Sequence, residues 1–443
     1  MHIVIIGNGI SGITAARHIR KNSDHEITVI SAETDHFFSR TALMYIYMGH
    51  MKFEHTKPYE DWFWEKNNIN ILNKYVEKVN INSHQLQFSD GAQLAYDKLI
   101  LACGSKPNKF GWPGQNLKGV QGMYSFQDLE GMEKYSKGLK RAVVVGGGLI
   151  GIEMAEMFHS RHIPVTFLVR EKSFWNNVLP QGESELVNRE ILRNNIDLKL
   201  DAELKEIIAD ENGRAKAVII NTGEEIQCQF VGLTAGVSPN ISFLKESGLD
   251  TDRGILVNHY FETNVEHIYA IGDCAQFKEP LPNRKPIEQV WYTGRMHGET
   301  LAQSLCGNKI PYTPGPWFNS AKFFDIEYQT YGSVQANIPE DQESLYWENE
   351  DGKKCIHLVF RKSDFKMVGV NLFGIRHRHE VWDKWLRASK TIDEVLTNFK
   401  VANFDPEFFK TYESQVVEKF NKKYPDRAIQ VIRKKRLLEY LGL

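Results

Sequence analysis

Short, unbroken apolar runs alternate along this chain with longer stretches whose apolar positions recur every three or four residues. Residues 2–6 form the first run, 11–21 the first helical stretch and 26–30 the next run. Continuous apolar runs of this length predict strands covered on both faces. A helical stretch between two of them predicts a parallel strand–helix–strand unit. The same order returns at 142–145, 151–159 and 164–169. Further buried strands are predicted at 70–75, 98–103, 230–235 and 267–271, with helices at 61–67 and 183–194. Two hairpins are predicted where short runs flank a tight turn. One joins 85–88 to 93–94 through Ser89-Asp90-Gly91, and the other joins 215–220 to 226–228 through Asn221-Thr222-Gly223.

Beyond about residue 311 the pattern changes. Pro311, Pro314 and Pro316 read as a linker. Alternation over 323–331, 344–347, 355–361 and 367–372, with turns at Asp351-Gly352 and Ser363-Asp364, predicts an antiparallel sheet. Helical spacing at 379–388 and 392–399 closes it, and the tail from about residue 407 is polar and helix-compatible. The expected class is α/β, with two Rossmann-like dinucleotide-binding domains and a C-terminal α+β domain carrying the antiparallel sheet.

Each of the two strand–helix units turns on a glycine fingerprint. The first reads Gly7-Asn8-Gly9-Ile10-Ser11-Gly12 and the second Gly146-Gly147-Gly148-Leu149-Ile150-Gly151. In such a motif the first glycine permits the tight turn and the second lets the backbone approach a pyrophosphate. The third lets helix and strand pack closely. The phosphates then meet unpaired N–H groups at the positive end of a helix. An acid past the second strand should bind an adenosine ribose; Glu33 stands there, with Asp35 as its rival. Two fingerprints in one chain imply two dinucleotides and, with them, electron movement between the two.

Composition narrows this picture little. The 443 residues predict two to four domains, and 42% hydrophobic with 25% charged residues is ordinary for a globular protein. A formal net charge of −2 gives no global field for nucleic acid or an acidic membrane. The first buried run follows Met1 at once, so no leader peptide is expected, and no run approaches a membrane span. Cys103, Cys228, Cys274, Cys306 and Cys355 are scattered, with no C-x-x-C. Neither a disulfide framework nor a metal site is expected, and a reducing cytoplasm is the natural location.

Five blocks in order resemble the FAD-dependent pyridine nucleotide-disulfide oxidoreductase superfamily. They are the two fingerprints, the block 99–107 around Cys103-Gly104, the block 232–240 around Gly236, and the block 268–275 around Gly272-Asp273. The resemblance implies a glutathione-reductase-like fold. Residues 1–112 and 239–312 would hold FAD, 113–238 would hold NAD(P)H, and 313–443 would form an interface or dimerisation-like domain. By resemblance Asp273 binds the FAD ribityl chain. Val76, Ala102, Gly104, Gly236 and Gly272 join the cofactor contacts, as do Leu149 and Ile150 of the second fingerprint. The disulfide branch carries a redox-active cysteine pair just after the second strand. Residues 35–49 contain no cysteine, and Phe or Tyr cannot replace a thiolate nucleophile. The stretch instead resembles ferredoxin and rubredoxin reductases, apoptosis-inducing factor and the flavin module of nitrite reductases. Their aromatic–x–Arg–x–x–Leu pattern is matched by Phe38, Arg40 and Leu43, which assigns Arg40 to FAD.

That branch implies hydride transfer from NAD(P)H to FAD, then electron transfer to an external acceptor. The acceptor would be a small iron–sulfur protein or a small molecule, O₂ included. A redox-switched assembly protein is the alternative class. Glu153 is expected near the nicotinamide, and Tyr45 stands where several relatives carry a lysine beside the flavin, so both are candidate catalytic residues. A Tyr45–Glu153 contact is one expectation; a carboxylate serving the helix dipole is the other. Trp291 opens a helix expected to point at the flavin, either stacking there or filling core. Arg170 and Lys172 follow the strand at 164–169 and favour NADPH, whereas the intervening Glu171 leaves NADH open. Cys103 and Cys274 read as small apolar fillers. The Arg376–His379 cluster reads as a solvated polar face, and Arg433–Arg436 as either a docking patch or plain helix surface. The C-terminal sheet is open to two roles, homodimer contact or cover for the flavin.

Overall fold

The computed structural model describes residues 1–430, so the basic run at 433–436 lies outside the described residues. The chain divides into two compact units. One comprises Met1–Arg170 and Ile196–Pro314, and the other comprises Glu171–Asn195 and the residues from Gly315 onward.

The first unit contains two five-stranded parallel sheets of matching plan. In one, the strands run Ile268–Ala270, Lys98–Leu101, His2–Ile6, Glu26–Ser31, Ile69–Asn73. In the other they run Asp197–Lys199, Val165–Leu168, Ala142–Val145, Phe230–Leu233, Val120–Gln121. The fingerprint strand is central in each, which is why residues 3–5 and 142–144 are fully buried. Strand Ile268–Ala270 returns to the first sheet after the second sheet has been completed, so the first nucleotide fold is made of two sequence segments.

Helix Ile10–Asn22 packs against helix Trp291–Leu305 through a small-residue seam. A Cβ on Gly298 would stand 2.6 Å from the Ser11 carbonyl oxygen, and one on Gly294 would stand 2.7 Å from Ser11 Oγ. Both predicted hairpins are present, and each gains a third antiparallel strand, Val76–Asn80 and Leu204–Ala209. Each of those strands carries two adjacent charged residues, Glu77-Lys78 and Lys205-Glu206, which break the period-two alternation that would mark it in the sequence. Helix Phe126–Tyr135, likewise not anticipated, starts on a reciprocal cap between Ser125 and Asp128.

In the second unit the sheet order is Phe318–Phe323, Ile326–Gly332, Met367–Phe373, Cys355–Arg361, Gln342–Glu348, all antiparallel. The run at 323–331, expected as one strand, contains the turn between two. Phe324 takes a left-handed φ of 51° there, and an aromatic residue inside an apolar run gives no turn signal. Helices His379–Arg387 and Glu413–Lys423 enclose a core around Trp382, Phe399 and Phe420; helix Ile392–Thr397 ends short of the expected 399, giving way to a 3-10 turn. Helix Gln181–Arg193 belongs to this unit: Glu183 is fully buried, accepting from His357 Nδ1 at 2.8 Å and from Asn371 Nδ2 at 2.8 Å.

The cluster at 376–379 is a solvated face at Arg376, Arg378 and His379, but not at His377. Extended backbone turns Arg376 and Arg378 outward and His377 inward. There His377 Nδ1 accepts the Trp382 indole N–H at 3.1 Å, and burial lowers its pKa to about 3.

Candidate functional site

The two fingerprints fold into the same cradle. Gly7 has φ +115° and Gly146 φ +122°, both in the left-handed half of the map. A Cβ on Gly7 would lie 2.1 Å from the Ala102 carbonyl oxygen, and one on Gly146 would lie 2.8 Å from that of Thr234. Each first glycine thus sits against the end of a neighbouring strand with no room for a side chain. The third glycines, Gly12 and Gly151, face back onto the first: an added Cβ would stand 2.0 Å from Gly7 O and 2.1 Å from Gly146 O. Only the middle glycines open outward. Gly9 and Gly148 cap helices Ile10–Asn22 and Leu149–Ser160, and a Cβ on either meets nothing within 4 Å. Neither cap has a side-chain hydrogen bond, so no capping side chain takes up the first-turn N–H groups. A pyrophosphate fits both places, drawing on those donors and on the positive helix end. Leu149 and Ile150 form the first turn of the second helix.

Around the first cradle the polar groups form one connected set. Glu33 makes a two-pronged pair with Arg40, at 2.7 and 2.6 Å, and Glu33 Oε1 accepts the Phe126 N–H at 2.9 Å. Arg40 also donates to the Tyr124 carbonyl at 2.7 Å and lies over the Tyr124 ring, 4.7 Å from its centroid. The pair holds the Arg40 guanidinium above its ordinary pKa against the opposing effect of burial. Asp35 instead accepts from Asn73 at 2.5 Å, apart from this set. Asp273 Oδ2 accepts from the Tyr124 hydroxyl and from Ser105 Oγ, each at 3.2 Å, and Ser105 Oγ accepts from Gln289 at 2.8 Å. Burial lifts the Asp273 carboxyl above the ordinary value, opposed by those two donors and by Arg40. The Gly272 N–H donates to His297 Nδ1 at 3.0 Å, beneath the site. The opposite edge of that fully buried imidazole faces Glu288, which also receives Arg284 Nη1 at 3.0 Å and the Tyr312 hydroxyl at 2.8 Å.

Tyr124, Gln289 and His297 were not marked by any motif, and Ser105 lies inside the block 99–107 without having been singled out. They are single polar residues brought to Asp273 by strand and helix ends distant in sequence. Val76 is buried and pairs with Phe88 in the three-stranded sheet. Gly104 has φ +66°, and a Cβ there would meet the Tyr124 hydroxyl at 2.9 Å; Gly236 has φ +86° beside Asn108. Trp291 is the first residue of its helix, half-buried and edge-on to Tyr292. Cys103 and Cys274 lie thiol to thiol, and that contact together with burial holds the Cys103 thiol well above its ordinary pKa.

Beside the second cradle, burial pushes the Glu153 carboxyl up to about 7, with the charge of Glu156 adding to it. Tyr45 lies on helix Leu43–Tyr47, which packs on Glu153's helix, Leu149–Ser160. Tyr47 meets Phe158 edge-on at 5.9 Å, and Arg161 stacks 3.5 Å over the Tyr47 ring. Tyr45 and Glu153 are not hydrogen-bonded to each other. Arg170 is exposed just past strand Val165–Leu168.

Residues 1–298 match the family described as pyridine nucleotide-disulphide oxidoreductase. The chain belongs to that family. It is 28% identical over 381 residues to the nitrite reductase [NAD(P)H] of Bacillus subtilis (strain 168), covering 84% of this chain and 45% of that protein. The chain therefore spans about half the length of that relative. It is 32% identical over 321 residues to a rubredoxin-NAD(+) reductase of Acinetobacter baylyi, covering 69% of this chain and 79% of that one. Among solved structures, a NAD-dependent persulfide reductase from A. fulgidus matches with a TM-score of 0.85 at 22% identity, covering 98% of this chain and 86% of that one. That likeness shows the fold alone. No helix among the described residues is long and apolar enough to cross a membrane.

Proposed function

We propose that this chain is an FAD-dependent NAD(P)H oxidoreductase that reduces an external electron acceptor without a redox-active disulfide of its own. The observation that carries the reading is the duplicated cradle: the same three-glycine geometry at Gly7-Gly9-Gly12 and Gly146-Gly148-Gly151, each with its outward-opening middle position. Family membership supports it, as does the absence of cysteine from residues 35–49. In this reading residues 1–112 and 239–312 hold FAD, 113–238 hold the nicotinamide nucleotide, and residues 313–443 form an interface or dimerisation-like domain.

A bound flavin would supply the junction between two-electron hydride chemistry and one-electron transfer. This chain's residues supply the rest. Glu33 and Arg40 hold a dinucleotide's adenosine and phosphate end, and Asp273 anchors a hydroxyl-rich linker. The N-terminus of the Trp291 helix offers partial positive charge where the flavin gains electrons. Glu153, with its pKa near neutrality, can hold or release a proton beside the nicotinamide. Arg170 favours the 2′-phosphate of NADPH. The acceptor that fits is a small iron–sulfur protein of rubredoxin or ferredoxin type, the partner in the names of several relatives. An oxidase using O₂ is the second reading, favoured by a NADH oxidase of Methanocaldococcus jannaschii at 29% identity over 343 residues. A cytoplasmic location is part of the proposal.

Steady-state oxidation of NADPH and NADH, with ferricyanide, rubredoxin, ferredoxin or air as acceptor, tests this. Fast turnover with a carrier protein supports the reductase, and hydrogen peroxide or water formed without one supports the oxidase. A long-lived reduced complex that turns over with none of them contradicts both and favours a redox-switched assembly protein.

A further inference from the structure

The first helix carries a second polar feature at the end remote from its glycine cradle. A groove of about 410 Å³ opens there, lined by Arg17, Arg20, Lys21, Phe63, Lys66 and the Asn67-Asn68 pair. No carboxylate lines it. Helix Ile10–Asn22 rises about 1.5 Å per residue, which puts these cations about 15 Å from the Gly9 cap and outside the dinucleotide cradle.

Two of the four cations are held rigidly. The Arg17 guanidinium stacks 4.5 Å over the Tyr59 ring and 6.0 Å from that of Phe63, and those rings stack on each other at 4.6 Å. Arg17 has no hydrogen-bond acceptor among the described residues, and its Nε is buried without a partner. Arg20 is tied to the carbonyls of Ser23 (3.1 Å), Asn68 (3.0 Å) and His25, yet its Nε is also buried and unpartnered. Lys21 and Lys66 are exposed and have no acid partner among the described residues; Lys66 lies 4.9 Å over the Trp62 ring.

The negative end of the helix dipole, about half a charge, offsets only a fraction of four positive heads. Like charges gathered in one concavity repel, and the concavity focuses their field outward. A chain of net charge −2 has acids enough to neutralise such a cluster, yet none lines this one. The missing component is an anion. Guanidinium forks match phosphate oxygens, several cations together call for more than one negative charge, and the groove has the volume of a small-molecule site.

We propose that this groove is an anion site separate from both dinucleotide cradles, taking a ligand that bears two or more phosphate charges. Arg17 and Arg20 are its fixed donors, Lys21 and Lys66 its mobile charges, and the Asn67 and Asn68 side chains its neutral donors. The ligand is either a soluble organic polyphosphate or the polyphosphorylated headgroup of a lipid. The inference does not depend on what the glycine cradles hold.

The test uses the full-length, flavin-loaded protein alongside its Gly148→Val variant, in which the second cradle is closed to phosphate and any remaining binding belongs elsewhere. Inorganic pyrophosphate and ADP are titrated by calorimetry. In parallel, the protein is sedimented with phosphatidylcholine vesicles with and without phosphatidylinositol bisphosphate. Binding in either arm should weaken at least about tenfold in Arg17→Ala/Lys66→Ala and fall steeply with salt. Arg17→Lys should retain part of it. Binding in the soluble arm assigns the ligand to solution, and binding only to the phosphoinositide vesicles assigns it to a lipid headgroup; both uphold the site. Should the double variant fail to fold, the exposed pair Lys21→Ala/Lys66→Ala replaces it. No binding up to about 10 mM in either arm would overturn the proposal. So would equal binding by wild type and folded variants.

Discussion

Replacing Glu153 by Gln should stabilise this protein at neutral and alkaline pH while leaving its acid stability nearly unchanged. Glu153 projects from helix Leu149–Ser160, where burial and then the charge of Glu156 raise its carboxyl from 4.5 to about 7. At about 1.4 kcal/mol per pH unit, that gap corresponds to a ceiling of about 3.5 kcal/mol, and solvent screening at a half-buried site brings it to about 1–3 kcal/mol. The sign follows from which state holds the proton. In the unfolded chain the carboxyl ionises near 4.5, whereas in the fold it stays protonated to about 7. Between those values the native state binds more protons, so stability falls as pH rises and levels off above the folded value. Glutamine does not titrate and escapes the loss. Urea unfolding of wild type and Glu153→Gln, at intervals from pH 5 to pH 8, reads the difference. It should be small at the acid end, widen through the window and plateau. Glu156→Gln should move the wild-type inflection to lower pH. A difference independent of pH, or a wild type more stable than the variant at pH 8, would refute the reasoning.

Other outcomes follow from the same geometry. Gly148→Val should leave the melting temperature nearly unchanged, because its Cβ meets open space, yet abolish nicotinamide nucleotide binding by calorimetry. Gly151→Val, driven against Gly146 O, should destabilise the fold by several kcal/mol. Arg170→Ala should raise KM for NADPH more than for NADH, and equal effects would remove Arg170 from nucleotide choice. Arg161 donates to the Tyr47 carbonyl and the Glu133 carboxylate while stacked on the Tyr47 ring, so Arg161→Ala should cost about 2 kcal/mol in chemical denaturation.

The cradles were legible because their constraint is local. A first glycine forced to positive φ and a third facing a carbonyl at about 2 Å leave one residue type available, so the sequence must show it. The parallel sheets were legible for a related reason, since strands buried on both faces read as unbroken apolar runs. The surroundings of Asp273 were not. Tyr124 and Ser105 reach it from separate elements and Gln289 backs Ser105; only Ser105 stands in a marked block, and nothing in the neighbourhoods of Tyr124 and Gln289 marks them. His377 was misjudged because the extended backbone before the helix turns it inward, where Trp382 and Asn403, both later in the chain, satisfy its ring. Helix Gln181–Arg193 lies within the second nucleotide segment of the sequence. Its allegiance to the C-terminal sheet rests on the buried Glu183, bonded to His357 and Asn371, and on Arg189 and Arg193, which reach Glu348 and the carbonyls of Asp351 and Gly352, all far along the chain.

In the function proposed, one chain holds a flavin and a nicotinamide nucleotide in two matching cradles. The visible spectrum of the purified protein during anaerobic titration with NADPH tests it most directly. A flavin band at about 450 nm, bleached by about one equivalent of NADPH, is the predicted result. Protein that is colourless and cannot be reconstituted with FAD, or a flavin band that neither NADPH nor NADH bleaches, would contradict it.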